Sequence, residues 1–140
     1  MVIAPAMRYA WPVMSIPLGS VAHFSIGVAD PDASARWWLS LFDLEEYRRS
    51  ATRVVIGNDA VTIALFSGGE ADASALGHLA FRTADADALE AALAALRAAG
   101  VDLEDPGHEI GPVGPGSASI GLWFRDPDGY RWELYVPASG

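Results

Sequence analysis

One near-repeated segment constrains the fold of this chain more than any other feature. "VAHFSIGVADPDA" begins at Val21, and "LGHLAFRTADADA" begins at Leu76. When the two segments are aligned, a histidine (His23 or His78) falls at the third position, and both end in Asp-x-Asp-Ala. A sequence repeat of this kind indicates a duplicated structural module, so the architecture is expected to consist of two similar halves.

Each copy predicts a strand followed by a helix. In both copies apolar side chains alternate with small or polar ones, which is typical of a half-buried strand. Asp30, followed by Pro31, is placed to cap the first helix, and Asp85 or Asp87 is placed to cap the second. The first helix is expected to end near Phe42, with Asp43 in the left-handed conformation, and the second to end at Gly100.

The remaining strands are short. The segment 104–117 is rich in Gly and Pro and is predicted to be a loop. A tight turn is predicted at "DPDG", which joins the last two strands. The predicted strands after the helices are Glu46–Arg49, Arg53–Ile56, Val61–Phe66, 117–125 and 130–136.

These elements predict an α+β fold in which two tandem βαβββ modules form a curved mixed-sheet trough with helices on the outer face. Module one spans residues 20–67, a linker spans 68–75, and module two spans 76–137, together forming one domain over 20–137. An irregular extension over 1–19, interrupted by prolines, precedes them. A length of 140 residues suits one domain with a single core.

Composition excludes several classes of function. The net charge of −9 disfavours a nucleic-acid partner, and the absence of cysteine excludes disulfides and thiolate chemistry. No apolar run is long enough for a membrane helix, so no membrane partner is expected. The proline-broken N-terminal run does not resemble a secretory signal, and the protein is therefore expected to be cytoplasmic.

Alternation along three strands brings candidate ligands to one face. In the last strand Trp132, Leu134 and Val136 are expected to face the helix, which leaves Glu133 on the trough side with His23 and His78. Two imidazoles and one carboxylate can bind divalent Fe, Mn, Ni or Zn and leave coordination positions open for a substrate.

Other trough-side residues could contact a small-molecule substrate. Trp123 lies on the polar side of its strand and could form a wall, or could pack against the extension or a partner chain. Arg82 and Arg131 could anchor a carboxylate or phosphate, or could pair with acidic residues. The candidate substrate-binding residues are Trp123, Arg82, Arg131, Phe66 and Tyr135, whereas His108 is expected to lie on the surface.

The repeat, its histidines and "FRDPDGYRWELY" near the end resemble the vicinal oxygen chelate superfamily, which includes glyoxalases, bleomycin-resistance proteins and extradiol dioxygenases. The resemblance covers roughly residues 19–137. It implies that His23, His78 and Glu133 are metal ligands. It also implies a homodimer, in which one site can draw ligands from two chains.

Two departures leave the reaction open. Glyoxalase I has a fourth ligand, a Glu on the fourth strand, but here that strand reads "VTIALF" and offers only Thr62, Ala64 and Phe66 to the trough. Extradiol dioxygenases carry a Tyr on the strand before the Glu ligand, where this chain has Trp123.

The resemblance therefore predicts a metal-dependent enzyme acting on a small oxygen-chelating substrate, as a lyase, isomerase, transferase or dioxygenase. The sequence identifies no general base. An alternative is a metal-free protein that binds a drug or metabolite, as bleomycin-resistance proteins do. A third possibility is a catalytically silent regulatory or structural module.

Overall fold

The computed structural model describes residues 15–68 and 72–138. Residues 1–14 of the predicted extension lie outside this range, and residues 15–19 have no regular secondary structure. The first module contains β1 (His23–Gly27), α1 (Pro31–Leu41), β2 (Glu45–Arg49), β3 (Arg53–Gly57) and β4 (Thr62–Phe66). The second contains β5 (Leu79–Arg82), α2 (Ala86–Ala98), β6 (Asp102–Leu103), β7 (Ile110–Pro112), β8 (Ile120–Arg125) and β9 (Arg131–Val136).

The two modules have the same topology. Strand order in the first sheet is β1-β4-β3-β2, and in the second it is β5-β9-β8-β6, with β7 also paired to β8. In each sheet the first and last strands of the module run parallel, and the other pairs run antiparallel. The predicted α+β fold with tandem modules is thus confirmed, and no strand pairing joins the two sheets within the described ranges.

Both helices begin where the repeated Asp residues predict. The Asp30 carboxylate accepts hydrogen bonds from the main-chain N–H groups of Asp32 and Ala33, and the Asp85 carboxylate accepts one from Ala88 at 2.8 Å. Helix α2 is followed by Gly100 at φ +70°, as expected. The prediction for Asp43 is wrong, because its φ is not positive. Phe42, which follows the last helical residue Leu41, is already extended at φ −118° and ψ 157°, and the chain turns directly toward β2.

One hydrophobic core spans both modules. The Phe24 ring on β1 lies 6.3 Å from Phe81 on β5, and Trp38 on α1 lies 5.0 Å from Trp132 on β9. The side chains of β3 and β4 that alternate toward α1 belong to the same cluster as Leu89 and Leu93 of α2. The opposite face of each sheet, which no helix covers, is called its trough face.

The "DPDG" turn also connects the modules. Gly129 takes φ +88°, as the turn prediction requires. The Tyr130 hydroxyl donates to the carbonyl oxygen of Gly27 at 2.6 Å, and the Ala29 N–H donates to the Asp128 carboxylate at 2.9 Å. Burial raises the pKa of the Asp126 carboxyl, which accepts hydrogen bonds from the Trp132 indole and from two main-chain N–H groups.

The predicted loop 104–117 holds more structure than its composition indicates. Strand β7 lies inside it, and the buried Glu109 beside that strand accepts a hydrogen bond from Arg97 of α2 at 2.6 Å. This contact fastens the segment to the helix. Neither helix of the described ranges is long and apolar enough to cross a membrane.

Candidate functional site

The trough face of the second sheet forms a cavity of about 380 Å³. Strand alternation places its polar walls, because Trp123 on β8 pairs directly with Glu133 on β9, and Tyr135 and Arg131 flank Glu133 on the same face. The cavity is lined by Ala80, Val113 and five of the predicted site residues, His78, Trp123, Arg131, Glu133 and Tyr135.

His78 and Glu133 meet at the floor of this cavity. His78 Nε2 lies 3.1 Å from Glu133 Oε1, and the glutamate is only 4% exposed although it carries an ionisable group. Two ligands that each lie about 2.0–2.2 Å from one ion are about 3 Å apart, so this pair fits a divalent metal. Within the described part of one chain, no three His, Asp, Glu or Cys side chains come together as a possible metal site.

Gly121 makes room for the Glu133 carboxylate. A Cβ atom at Gly121 would lie 2.7 Å from Glu133 Oε2 and 3.0 Å from Trp123 Cη2. The first distance is shorter than real Cβ contacts and the second is tighter than most of them, so the glycine permits the observed position of the acid. A glycine within a strand is the sequence signal for such a close approach.

Arg131 is held in place by Glu104, a residue that sequence reasoning missed. Two hydrogen bonds, of 2.6 and 2.9 Å, join the guanidinium to the Glu104 carboxylate, and the guanidinium carbon lies 5.6 Å from the centre of the Trp123 ring. The Arg131 guanidinium lowers the pKa of the Glu104 carboxyl, and hydrogen bonding to Glu104 raises that of Arg131. Arg131 therefore presents a fixed cation beside the His78–Glu133 pair.

The other predicted site residues lie elsewhere in the chain. His23 is exposed at the start of β1, opposite Thr62, and Phe66 lies at the far end of the same sheet, opposite Gly27. Arg82 lines a separate cavity of about 530 Å³ between the modules, whose walls include Phe24, Trp38 and Phe81. His108 is exposed on its loop, as predicted.

Strand register identifies the counterpart of Glu133 in the first module. Glu133 pairs with Ala80, two residues after His78, and Ala64 pairs with Ser25, two residues after His23. Ala64 thus occupies the position that the acid occupies in the second module. The first module contributes a histidine without a carboxylate partner at that position.

Comparisons with known proteins identify the family and support the fold. The family model described as the glyoxalase/bleomycin resistance protein/dioxygenase superfamily matches residues 20–134. No protein of curated function matches the chain in sequence.

Three solved structures illustrate the structural similarity. A glyoxylase/bleomycin resistance protein/dioxygenase domain from Frankia sp. EAN1pec is 26% identical with a TM-score of 0.69, over 86% of this chain and 99% of that one. A lactoylglutathione lyase from Agrobacterium tumefaciens is 20% identical with a TM-score of 0.68, over 86% and 95%. A fosfomycin resistance protein from Listeria monocytogenes is 17% identical with a TM-score of 0.67, over 87% and 96%. From the family match, the fold and the repeat together, this chain belongs to the glyoxalase/bleomycin resistance protein/dioxygenase superfamily.

Proposed function

We propose that this chain is a metal-dependent enzyme that acts on a small substrate bearing two neighbouring oxygen atoms. The observation that supports this most is the His78–Glu133 pair, a buried carboxylate 3.1 Å from an imidazole on the floor of an open cavity. Burying a carboxylate is costly unless it is paired or coordinates a metal, and metal ligation by Glu133 is one way to offset that cost.

The donor set suits Fe, Mn, Ni or Zn, and such an ion would supply Lewis-acid stabilisation to a chelating substrate oxygen. His78 and Glu133 would hold it, and Gly121 keeps the Glu133 carboxylate in position. Arg131, fixed by Glu104, would orient an anionic or carbonyl group of the substrate. Trp123 and Tyr135 would exclude water from the two sides of the cavity.

The third ligand, His23, is supplied by a second copy of the chain in this proposal. His23 is exposed. Within residues 15–68 and 72–138, the strand that carries it, β1, pairs on one side only, and the same holds for β5, next to His78. Placing β1 of one copy beside β5 of another covers both strand edges and brings the two histidines to one trough. The active unit would be a homodimer with two equivalent sites.

Mixing two variants that each lack one proposed ligand tests both the metal site and its sharing between two copies of the chain. His23→Ala and His78→Ala are each expected to bind less than about a tenth of an equivalent of Zn²⁺ or Mn²⁺ when purified alone. Co-expressed in equal amounts, they form mixed dimers in which one of the two sites retains all ligands. Metal content is then expected to recover to about a quarter of the wild-type value, because half of the dimers are mixed.

The outcomes separate assembly from function. If the wild-type chain binds metal but the mixture shows no recovery, the site is not shared between copies. If the wild-type chain, purified without chelator, holds no transition metal and takes up none on titration, the enzymatic proposal is wrong.

A wild-type chain that takes up no metal would favour the alternative of a metal-free binding protein. The cavity of about 530 Å³ between the modules supports this alternative, because its walls are mostly aromatic and aliphatic and it is large enough for a drug-sized molecule. Thermal-shift measurements with aromatic drugs, in the metal-free protein, would then be expected to show stabilisation.

A further inference from the structure

A second cluster of cationic side chains lies far from the histidines, at the tip of the β2–β3 hairpin. A cavity of about 260 Å³ is lined there by Arg48, Arg49, Ser50, Thr52, Arg53 and Val55. In a chain with a net charge of −9, a concentration of arginine in one place needs an explanation. None of these residues belongs to the His78–Glu133 cavity.

An irregularity in β2 decides which arginines share a face. Pairing with β3 shifts between Glu46 and Arg48, so that Arg48 lies opposite Val55 and Arg49 lies opposite Val54. Val54 faces the core, and Arg49 accordingly pairs with Asp32 of α1 and with Glu46. Arg48 is thereby placed on the trough face, together with Arg53 and Val55.

Arg48 and Arg53 are diagonal neighbours across the strand pair. Residues at such positions are about 7–8 Å apart, with their Cβ atoms somewhat closer, so both guanidinium groups can reach one small anion. Neither arginine forms an ion pair or a side-chain hydrogen bond to another described residue. Two like charges this close repel each other unless an anion lies between them.

The floor of the cavity is apolar. Val55 is only 6% exposed although it faces away from the core cluster, so the side chains around it, including the arginine stems, cover it. The hydroxyls of Ser50 and Thr52 at the hairpin turn add neutral hydrogen-bond donors beside the two cations. Guanidinium groups with hydroxyls are the donor set that phosphate-type oxyanions prefer.

We propose that Arg48 and Arg53 bind a small oxyanion of the phosphate type, at a site separate from the metal ligands. Arg53 pairs with Phe66, whereas His23 pairs with Thr62, so the two lie at opposite ends of the first sheet, about 13 Å apart along the strands. The anion therefore does not need the metal site in order to bind. The acidic character of the whole chain selects small anions over polyanions such as nucleic acid.

Calorimetric titration of the full chain with inorganic pyrophosphate tests the proposal, after the protein has been passed over a chelating resin. Arg48→Ala and Arg53→Ala are each expected to weaken pyrophosphate binding at least about tenfold, because each removes charge-assisted hydrogen bonds. Arg53→Lys keeps the positive charge but not the planar guanidinium group, so it is expected to lose less affinity for pyrophosphate than Arg53→Ala. The matched control is Arg36→Ala, which removes the same charge from an exposed pair with Asp32 on α1.

Three results would overturn the proposal. The first is no binding of pyrophosphate to the folded wild-type chain. The second is a loss of pyrophosphate affinity in Arg36→Ala as large as that in Arg48→Ala and Arg53→Ala, which would reflect the net charge alone. The third is loss of pyrophosphate binding in His78→Ala, which would place the anion in the candidate metal cavity. Unchanged affinity in His78→Ala supports a separate site, whether or not the metal proposal holds.

Discussion

The position of the Glu133 carboxylate depends on the missing side chain of Gly121. We predict that Gly121→Ala lowers the affinity for Zn²⁺ at least about tenfold, because the added Cβ would lie 2.7 Å from Glu133 Oε2 and would displace the ligand. Competition with a chromophoric chelator measures the affinity, and circular dichroism checks that the variant is folded.

Gly111 provides the matched control for that substitution. It lies directly opposite Gly121 in the β7–β8 pair, and a Cβ atom there meets nothing within 4 Å. Gly111→Ala should therefore bind Zn²⁺ like the wild-type chain. Equal affinities of the two variants would argue against Glu133 as a ligand.

The Glu104–Arg131 ion pair makes part of the stability depend on pH. Because Arg131 lowers the folded-state pKa of Glu104, the pair stabilises the folded chain fully above the unfolded-state pKa, about 4.3. This contribution is lost as the pH falls through the lower, folded-state pKa. We predict that Glu104→Gln reduces the free energy of unfolding by no more than about 1 kcal/mol at pH 7, and that the difference from wild type disappears in strong acid.

Urea unfolding at a series of pH values measures this difference. Glu90→Gln on α2 is the control, since Glu90 is exposed and forms no ion pair with the described residues. If the Glu104→Gln deficit stayed constant down to low pH, the ion pair would not be its cause.

The sequence could predict which face each site residue occupies, but not every contact that positions it. Alternation in β8 and β9 places Trp123, Glu133 and Tyr135 on one side. Glu104 follows a strand of only two residues, too short to show a period, so its contact with Arg131 could not be predicted. Long-range side-chain pairing of this kind depends on the folded path of the loop.

Among the elements, those with a local signal were the predictable ones. Asp30 and Asp85 cap helices because a carboxylate satisfies free main-chain N–H groups at any helix start, independent of the rest of the fold. Strands β6 and β7 carry no such signal, since β6 has only two residues and Gly and Pro dominate the segment that contains β7. The irregularity in β2 could not be predicted either, because pairing with β3 determines that Arg48 lies on the trough face and Arg49 on the opposite face.

At the scale of the whole molecule, the repeat predicted two similar modules but not how they join. The shared aromatic core depends on contacts such as that between Trp38 and Trp132, which are distant in sequence. The separation of His23 from the His78–Glu133 pair within one chain follows from that packing. No periodicity along the chain carries this information.

Removing the hydrogen bond from Tyr130 to Gly27 tests how much this contact between the modules contributes to stability. Tyr130 is 4% exposed, and its hydroxyl lies 2.6 Å from the carbonyl oxygen of β1. We predict that Tyr130→Phe lowers the free energy of unfolding by about 1 kcal/mol, because the partly buried carbonyl oxygen of Gly27 loses its donor. Urea unfolding measures this through the transition midpoint at an unchanged m-value.

Tyr47→Phe is the control, since Tyr47 is 44% exposed and its hydroxyl donates no hydrogen bond to a described residue. Its free energy of unfolding should stay within about 0.5 kcal/mol of wild type. A similar loss in both variants would mean that the Tyr130 contact contributes nothing specific.

The continuous core has a consequence for engineering this chain. Because Phe24, Phe81 and Trp132 pack together across the boundary, neither half has a complete interior of its own. A chimera that exchanges one half for that of a relative must carry over the matching aromatic surface as well. Cleavage between the halves should yield fragments that reassemble rather than two independently folding units.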